Sequence, residues 1–335
     1  MAPMGGASPA ELAIAVANAG GMGGCGALSL SPGQIADWAA AFRAGSSGPF
    51  QINTWVPDPA PRRDAAHEAA LRKFVARFGP QPDADAADRP LPDFGAQCEA
   101  MLAAKPPVIS SVMGLFPPSF VAQLHAQGIT WFATVTTVRE ALDAEQAGAD
   151  VLIVQGAGAG GHRGSFDADA AKRQMAGLFS LLPAISDRVA IPIVASGGIA
   201  DGRGIAAALI LGASAVSLGS VFLRCHESQI PAAWKEALAT TLPEDTVITR
   251  AFSGRAARAL MNDYVRATLA PDAPAPAPYP VQRNLTAAMS GAARAANDMH
   301  AMYALGGESS ALARAEPAAE TVRRLWAGAR DLLAA

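Results

Sequence analysis

The chain has 335 residues, 51% of them hydrophobic and 16% charged, with a formal net charge of −3. That is enough apolar material for two domains or for one large α/β barrel with an insertion; it excludes general disorder, and no basic stripe suggests a nucleic-acid partner. Cys25, Cys98 and Cys225 lie far apart, at neither zinc-ligand nor redox spacing, so reduced thiols, no metal site and a cytoplasmic location are expected.

Met1-Ala2-Pro3-Met4-Gly5-Gly6 runs directly into a helix, with Ser8 or its neighbour as cap, Pro9 in the first turn and Glu11 to Ala19 as body. No basic region precedes an apolar one there, so no signal peptide is expected. Met22 to Leu28 reads as a short strand, and Ser31-Pro32 opens a helix through Phe42. Pro49 to Val56 (PFQINTWV) is the next strand, with Asn53 near its end. Residues 57–92, rich in Pro, Asp, Ala and Arg, carry one amphipathic helix around His67 to Phe78 and read as an insertion. Alternation resumes with a strand at Val108 to Gly114, a helix at Pro118 to Gln127, a strand at Thr130 to Thr134 and a helix at Val138 to Ala147.

The stretch from Asp150 to Leu223 carries the chemistry. The apolar run Val151 to Val154 passes straight into Gln155-Gly156-Ala157-Gly158-Ala159-Gly160-Gly161-His162-Arg163-Gly164. A second run, Ile191 to Ala195, ends in Ser196-Gly197-Gly198. After a helix through Gly204 to Leu211, a third run, Ala215 to Leu218, ends in Gly219-Ser220. Three buried strands finishing in glycines, with helices between, describe successive units of a parallel sheet. Residues 204–223 carry no charge and match a bilayer span in length, but the pattern changes from helix to strand at Gly212-Ala213, so no membrane segment is expected.

Beyond Arg224, helix-like segments surround Val247 to Phe252, residues 271–280 (PDAPAPAPYP) read as an extended, polyproline-like crossing, and the tail from Asn284 reads as alanine-rich helix. Seven strands are thus expected, where a TIM (β/α)8 barrel needs about eight. Ala2-Pro3-Met4 ought to end the missing first strand. Either that strand is truncated or the barrel closes differently; the sequence leaves both open. The expected fold is therefore α/β, a TIM barrel short of most of its first strand, with a second, smaller and mostly helical domain. Its boundaries are read as 1–57 and 105–225 for the barrel, 58–104 and 226–310 for the smaller unit, and 311–335 for a C-terminal helix.

Glycines at strand ends let backbone N–H groups approach a ligand, and here they come with one titratable side chain, His162, which suggests a flavin phosphate site. Gly197-Gly198 alone also fits a tight strand-to-helix turn with no ligand; Gly219-Ser220 one strand later favours the phosphate. A dianion is well held where a glycine turn opens a helix, here the one after Asp201. Gly156, Gly158 and Gly161 satisfy the G-x-G-x-x-G spacing, yet no helix is expected at Gly161, which argues against a Rossmann turn. His162, after a run of small residues, can point into a barrel mouth, and a pKa near neutrality suits it to removing a carbon proton or pairing with an anion. His67, His125, His226 and His300 are expected at the surface.

The order APM–GG–SP-EL–AVANAGGMG, INTWV, QGAGAGGHRG, IPIVASGGIADGRG, AVSLGSVFL and TRAFSGRAAR resembles the nitronate monooxygenase family, formerly 2-nitropropane dioxygenases, from Met1 to about Val281. The resemblance implies noncovalent FMN in the barrel mouth, its phosphate held by Gly197, Gly198, Ser217, Leu218, Gly219 and Ser220. Asn53 and Gln155 would hydrogen-bond the flavin, as amides that donate and accept can, although Asn53 alone also fits a turn former. Gly160 and Gly161 complete the cofactor set, and Pro3 and Met4 would lie alongside the ring. His162 would be the catalytic base and border the substrate. Arg163 would attract a nitronate, or equally form a surface salt bridge. The implied reaction is FMN-dependent oxidation of alkyl nitronates, such as propionate 3-nitronate, by O2 to carbonyl compounds and nitrite. Partners are then a small nitronate or nitroalkane and O2, with a homodimer left open. The same scaffold resembles FMN- and NAD(P)H-dependent enoyl-acyl-carrier-protein reductases, and a flavin-binding protein without turnover is a third reading. Where the family has an Ala-Gly-Gln turn, this chain has Leu305-Gly306-Gly307-Glu308, which adds a negative charge expected to weaken binding of a nearby anion.

Overall fold

Seven parallel strands, all at the expected places, form one curled sheet in the computed structural model, which describes residues 1–334. The N-terminal segment leads into α1 (Ala10–Asn18), then β1 (Gly23–Gly26), α2 (Pro32–Gly45) and β2 (Phe50–Trp55). Between β2 and the next strand lie α3 (Ala65–Val75), in the expected insertion, and α4 (Phe94–Ala104), beyond it. Then follow β3 (Val108–Val112), α5 (Pro118–Ala126), β4 (Thr130–Val135), α6 (Val138–Gln146) and β5 (Val151–Gln155). The chain leaves the sheet for β6 (Gly161–His162) and returns through α7 (Leu178–Ser186), β7 (Ile193–Ser196), α8 (Gly202–Ile210), β8 (Ala215–Ser217) and the short α9 (Ser220–Leu223). Strand order is β1-β2-β3-β4-β5-β7-β8, the succession of a TIM barrel.

The sheet forms because its strands are largely buried on both faces and mostly apolar on the face turned to the helices. Ile52, Ile109, Trp131, Leu152, Val154 and Ile193 join one core with the inner faces of the helices. Polar residues set the helix starts: Ser31 and Gln34 form a capping box on α2, Asp93 caps α4, Thr137 caps α6 and Asp201 caps α8.

The eighth place in the barrel is taken by Met1 to Gly5, without regular strand pairing. The Ala2 amide donates to Leu218 O at 2.8 Å on one side, and the Met1 amine to Met22 O at 2.8 Å on the other. Glycine in β1 makes room: a Cβ on Gly24 would lie 2.8 Å from Met1 O, and one on Gly26 would lie 2.6 Å from Gly5 N. The segment thus closes the seam between β8 and β1. A C-terminal helix, α13 (Ala318–Leu333), packs on α1 and α8.

The rest of the chain is α10 (Ala232–Thr240), β9 (Thr246–Thr249), β10 (Ala257–Leu260), α11 (Asp263–Ala267), α12 (Val281–Ala295) and α13 (Ala318–Leu333). Three expectations change here. The smaller unit, expected to be mostly helical, also holds an antiparallel sheet of β6, β10 and β9, and Val247 lies within β9. The tail is not one helix, because after α12 the chain turns at Asn297 (φ +54°) and runs irregularly until α13. The 58–104 segment assigned to the smaller unit also divides. Phe74 and Val75 of α3 share a core with Phe252, Tyr264 and Met289, whereas Cys98, Met101 and Leu102 of α4 belong to the barrel core. Gly161 opens a strand rather than a helix, as the argument against a Rossmann turn requires. Residues 204–223 are α8, β8 and α9, and no described helix is long and apolar enough to cross a membrane.

Candidate active site

The carboxyl ends of the barrel strands and the cap above them enclose a cavity of about 460 Å³, within the range usual for small-ligand sites. Pro3, Met4, Asn53 and Gln155 line it, as do Gly160, Gly161 and His162. So do Gly197 and Gly198 after β7, and Ser217, Leu218, Gly219 and Ser220 after β8. Loops from β5, β7 and β8 therefore face one space.

Two adjacent strand ends offer donors with nothing to donate to. Among the described residues, the amides of Gly160, Gly197, Gly198 and Gly219 meet no protein acceptor, and the buried Ser217 hydroxyl has no partner. Gly197 (φ +105°) and Gly198 (φ +73°) turn the backbone through the left-handed region, which brings their N–H groups round to the cavity. Such a concave set of unpaired donors suits a phosphate. The start of α8 does not contribute, contrary to expectation: the Asp201 carboxylate already accepts from the Arg203 and Gly204 amides.

The Gly306-Gly307 turn closes over these loops. The Gly307 amide donates to Ser220 Oγ at 2.9 Å and the Glu308 amide to Gly158 O at 3.1 Å. The charge of Glu308 is not left facing an anion: its carboxylate pairs with the buried Arg258 guanidinium at 2.8 Å. Arg258 also holds Ala157 O at 3.1 and 3.0 Å, so the pair staples the turn to the glycine loop.

The two amides differ in what they have left. Asn53 Nδ2 donates to Ser110 O and Oγ, at 3.1 and 3.0 Å, leaving Oδ1 free as an acceptor. Gln155 is largely spent on shaping the loop: Nε2 donates to His162 O at 3.0 Å, and Oε1 accepts from the Gly164 amide at 2.8 Å.

His162 sits in β6, paired with Ala257 of β10, and its ring is held edge-on to Trp55 with centroids 4.5 Å apart. Nε2 lies 2.8 Å from Ser253 Oγ and 3.0 Å from the Tyr303 hydroxyl. Burial pushes the imidazole pKa down to about 3, with the Arg255 and Arg283 guanidinium groups adding to the effect. The expected pKa near neutrality is thus corrected: the ring is neutral at physiological pH and keeps one nitrogen lone pair, but burial and the two guanidinium groups make it a weak base.

Arg163 behaves otherwise than expected. It neither lines the cavity nor forms a surface salt bridge; it is buried and donates to the carbonyls of Gln155, Thr136 and Gln174 at 2.6, 3.2 and 3.1 Å. Burial pulls it down to about 10, which Glu140 partly offsets. Its work is to hold the loop that carries His162.

Sequence reasoning passed over Trp55, Ser253, Arg294 and Tyr303. Ser253 lay within the quoted TRAFSGRAAR, and Tyr303 lies just before the Gly306-Gly307 turn; neither carried a local signal of its role. Among the described residues, Arg294 of α12 is the one permanently charged side chain lining the cavity, held by Gly6 O at 3.0 Å and Gln229 O at 2.9 Å.

The chain resembles known proteins over nearly its whole length. The sequence profile described as nitronate monooxygenase matches residues 1–328. A protein named nitronate monooxygenase from Paraburkholderia phytofirmans is 37% identical over 330 residues, covering 97% of this chain and 90% of the relative. A probable nitronate monooxygenase from Staphylococcus aureus is 32% identical over 323 residues, covering 95% and 90%. Among solved structures, nitroalkane oxidase from Streptomyces ansochromogenes superposes with a TM-score of 0.90 at 35% identity, over 99% of this chain and 96% of the other. FabK from Thermotoga maritima superposes with a TM-score of 0.75 at 26% identity, over 99% and 93%.

Proposed function

The chain belongs to the nitronate monooxygenase family, whose members are oxidoreductases acting on nitro compounds, and on that footing we propose that it is an FMN-dependent enzyme that oxidises alkyl nitronates with O2 to carbonyl compounds and nitrite. The observation that carries this reading is the cluster of unpaired donors at the ends of β7 and β8, beside a neutral imidazole at the end of the next loop.

The phosphate of FMN would be held by the amides of Gly197, Gly198, Gly219 and Ser220 and by Ser217 Oγ, with Leu218 presenting the loop. Asn53 Oδ1 would accept from the flavin edge, and Gln155 has one N–H left to donate. Pro3 and Met4 would lie along the ring, with Gly160 and Gly161 against its phosphate end. Flavin, when bound, supplies the one-electron chemistry that neither the nitronate nor O2 manages with side chains alone. The chain's own residues bind, orient and move protons. His162 borders the substrate and, being neutral, can take a proton from the carbon next to a nitro group. Arg294 gives the cavity a positive bias that favours an anionic nitronate. Arg163 stays outside the substrate site and acts through the loop.

The test is to mix the purified, yellow protein with ethylnitronate or propionate 3-nitronate in air. Oxygen uptake with nitrite release is expected; absence of both sinks the reading. Similarity to FabK supports a second reading, an NAD(P)H-dependent enoyl reductase. Rapid anaerobic bleaching by NADH with a crotonyl thioester as acceptor would favour it.

A further inference from the structure

Nε2 of His162 faces two hydroxyl oxygens at once, Ser253 Oγ at 2.8 Å and the Tyr303 hydroxyl at 3.0 Å, while Nδ1 meets no hydrogen-bond partner among the described residues. Nε2 has a single proton or a single lone pair to offer. A lone pair could accept from one hydroxyl only, and the other close N···O contact would then set lone pair against lone pair. An N–H shared between the two oxygens leaves neither contact repulsive. The Ser253 hydroxyl proton has another place to go: Ser253 Oγ donates to Arg255 O at 3.2 Å.

The clamp is itself rigid. Ser253 is 1% exposed and its Oγ also receives the Arg255 amide at 3.3 Å. The Tyr303 ring stacks on Phe252 with centroids 4.4 Å apart, and its amide donates to Ser290 Oγ at 3.0 Å. Trp55 closes on the imidazole from its edge.

We propose that Ser253 and Tyr303 are positioning residues that hold His162 as the Nε2–H tautomer, so that its lone pair sits on Nδ1, the nitrogen left free to meet the substrate. The inference deepens the reading above and rests on it, because it says which nitrogen of His162 meets the substrate and which residues fix it there. The bond from the α-carbon to hydrogen breaks, its proton goes to Nδ1, and the electron pair passes into the nitro group, leaving a nitronate beside an imidazolium. Ser253 and Tyr303 keep accepting from Nε2–H throughout. With the opposite tautomer, Nδ1–H would bind a nitronate oxygen but could not take a proton.

Two measurements decide it. In a two-bond 1H–15N spectrum of histidine-labelled full-length protein, the signal lost in His162→Asn should show Nε2 protonated and Nδ1 bare; the reverse assignment overturns the proposal, whatever the enzyme's activity. Second, Ser253→Ala and Tyr303→Phe should each lower the ratio of kcat/KM for nitroethane to that for ethylnitronate by about tenfold, with Ser253→Thr restoring it. Equal losses on both substrates, as a merely structural defect would give, also overturn it. If neither substrate turns over in the parent protein, the functional reading fails, and the spectrum alone still decides the tautomer.

Discussion

His162 is neutral because of where it sits, and that has a measurable consequence for folding. Unfolded, an imidazole takes a proton near 6.5; here it does so only near 3. Between those pH values the unfolded chain binds more protons than the folded one, so stability is fully present above 6.5 and declines as pH falls. His162→Asn removes that contribution. Denaturant midpoints at pH 7 and pH 5 should therefore fall further in the parent than in His162→Asn; an equal fall would mean that the folded imidazole is already charged. The same substitution should lower turnover of neutral nitroethane by about a hundredfold or more, the usual worth of a general base. Unchanged nitroethane turnover would refute the base role.

At the scale of elements, the cap is tied to the His162 loop by one buried ion pair. Arg255, just before β10, is 2% exposed; its Nε donates to Asp58 Oδ2 and its Nη1 to Ser165 O, both at 2.8 Å. It thereby joins the start of the insertion, the cap sheet and the segment after Gly164. Removing one partner of a buried pair leaves an uncompensated charge and costs about 3 kcal/mol or more. Asp58→Asn should lose that much stability in denaturant unfolding, and Arg255→Met with Asp58→Leu should recover most of it. A loss below about 0.5 kcal/mol for Asp58→Asn would mean that solvent already screens the pair.

This is also the scale at which the sequence stops being legible. The barrel strands could be read because most are short apolar or β-branched runs with Gly or Pro close by, as in Val151 to Gln155, alternating with helix-compatible segments. The cap sheet could not. β6 is two residues, Gly161 and His162, and β10 is Ala-Arg-Ala-Leu, which joins β6 from a distant part of the chain. The roll of glycines facing the cavity was readable from their places at strand ends. Ser253 and Tyr303 were not, since they reach His162 from 91 and 141 residues away. Arg163 was misread for the same reason: three carbonyl acceptors that bury it exist only once the loop has closed.

At the scale of the molecule, a seven-stranded barrel closed by its N-terminal segment brings three loop ends to one mouth, and a cap of two segments roofs it. The close approaches are backbone to backbone: a Cβ on Gly160 would lie 2.4 Å from Gly307 N, so the roof rests directly on the glycine loop. The donors beneath it stay unpaired within the protein, and the account holds that FMN is what pairs them. The visible absorbance spectrum of the purified protein, read beside chromatography of whatever heat releases from it, tests this most directly. Two flavin bands and a released flavin that runs as FMN, about one per chain, are predicted. A colourless protein that takes up no FMN when the cofactor is added would contradict the account.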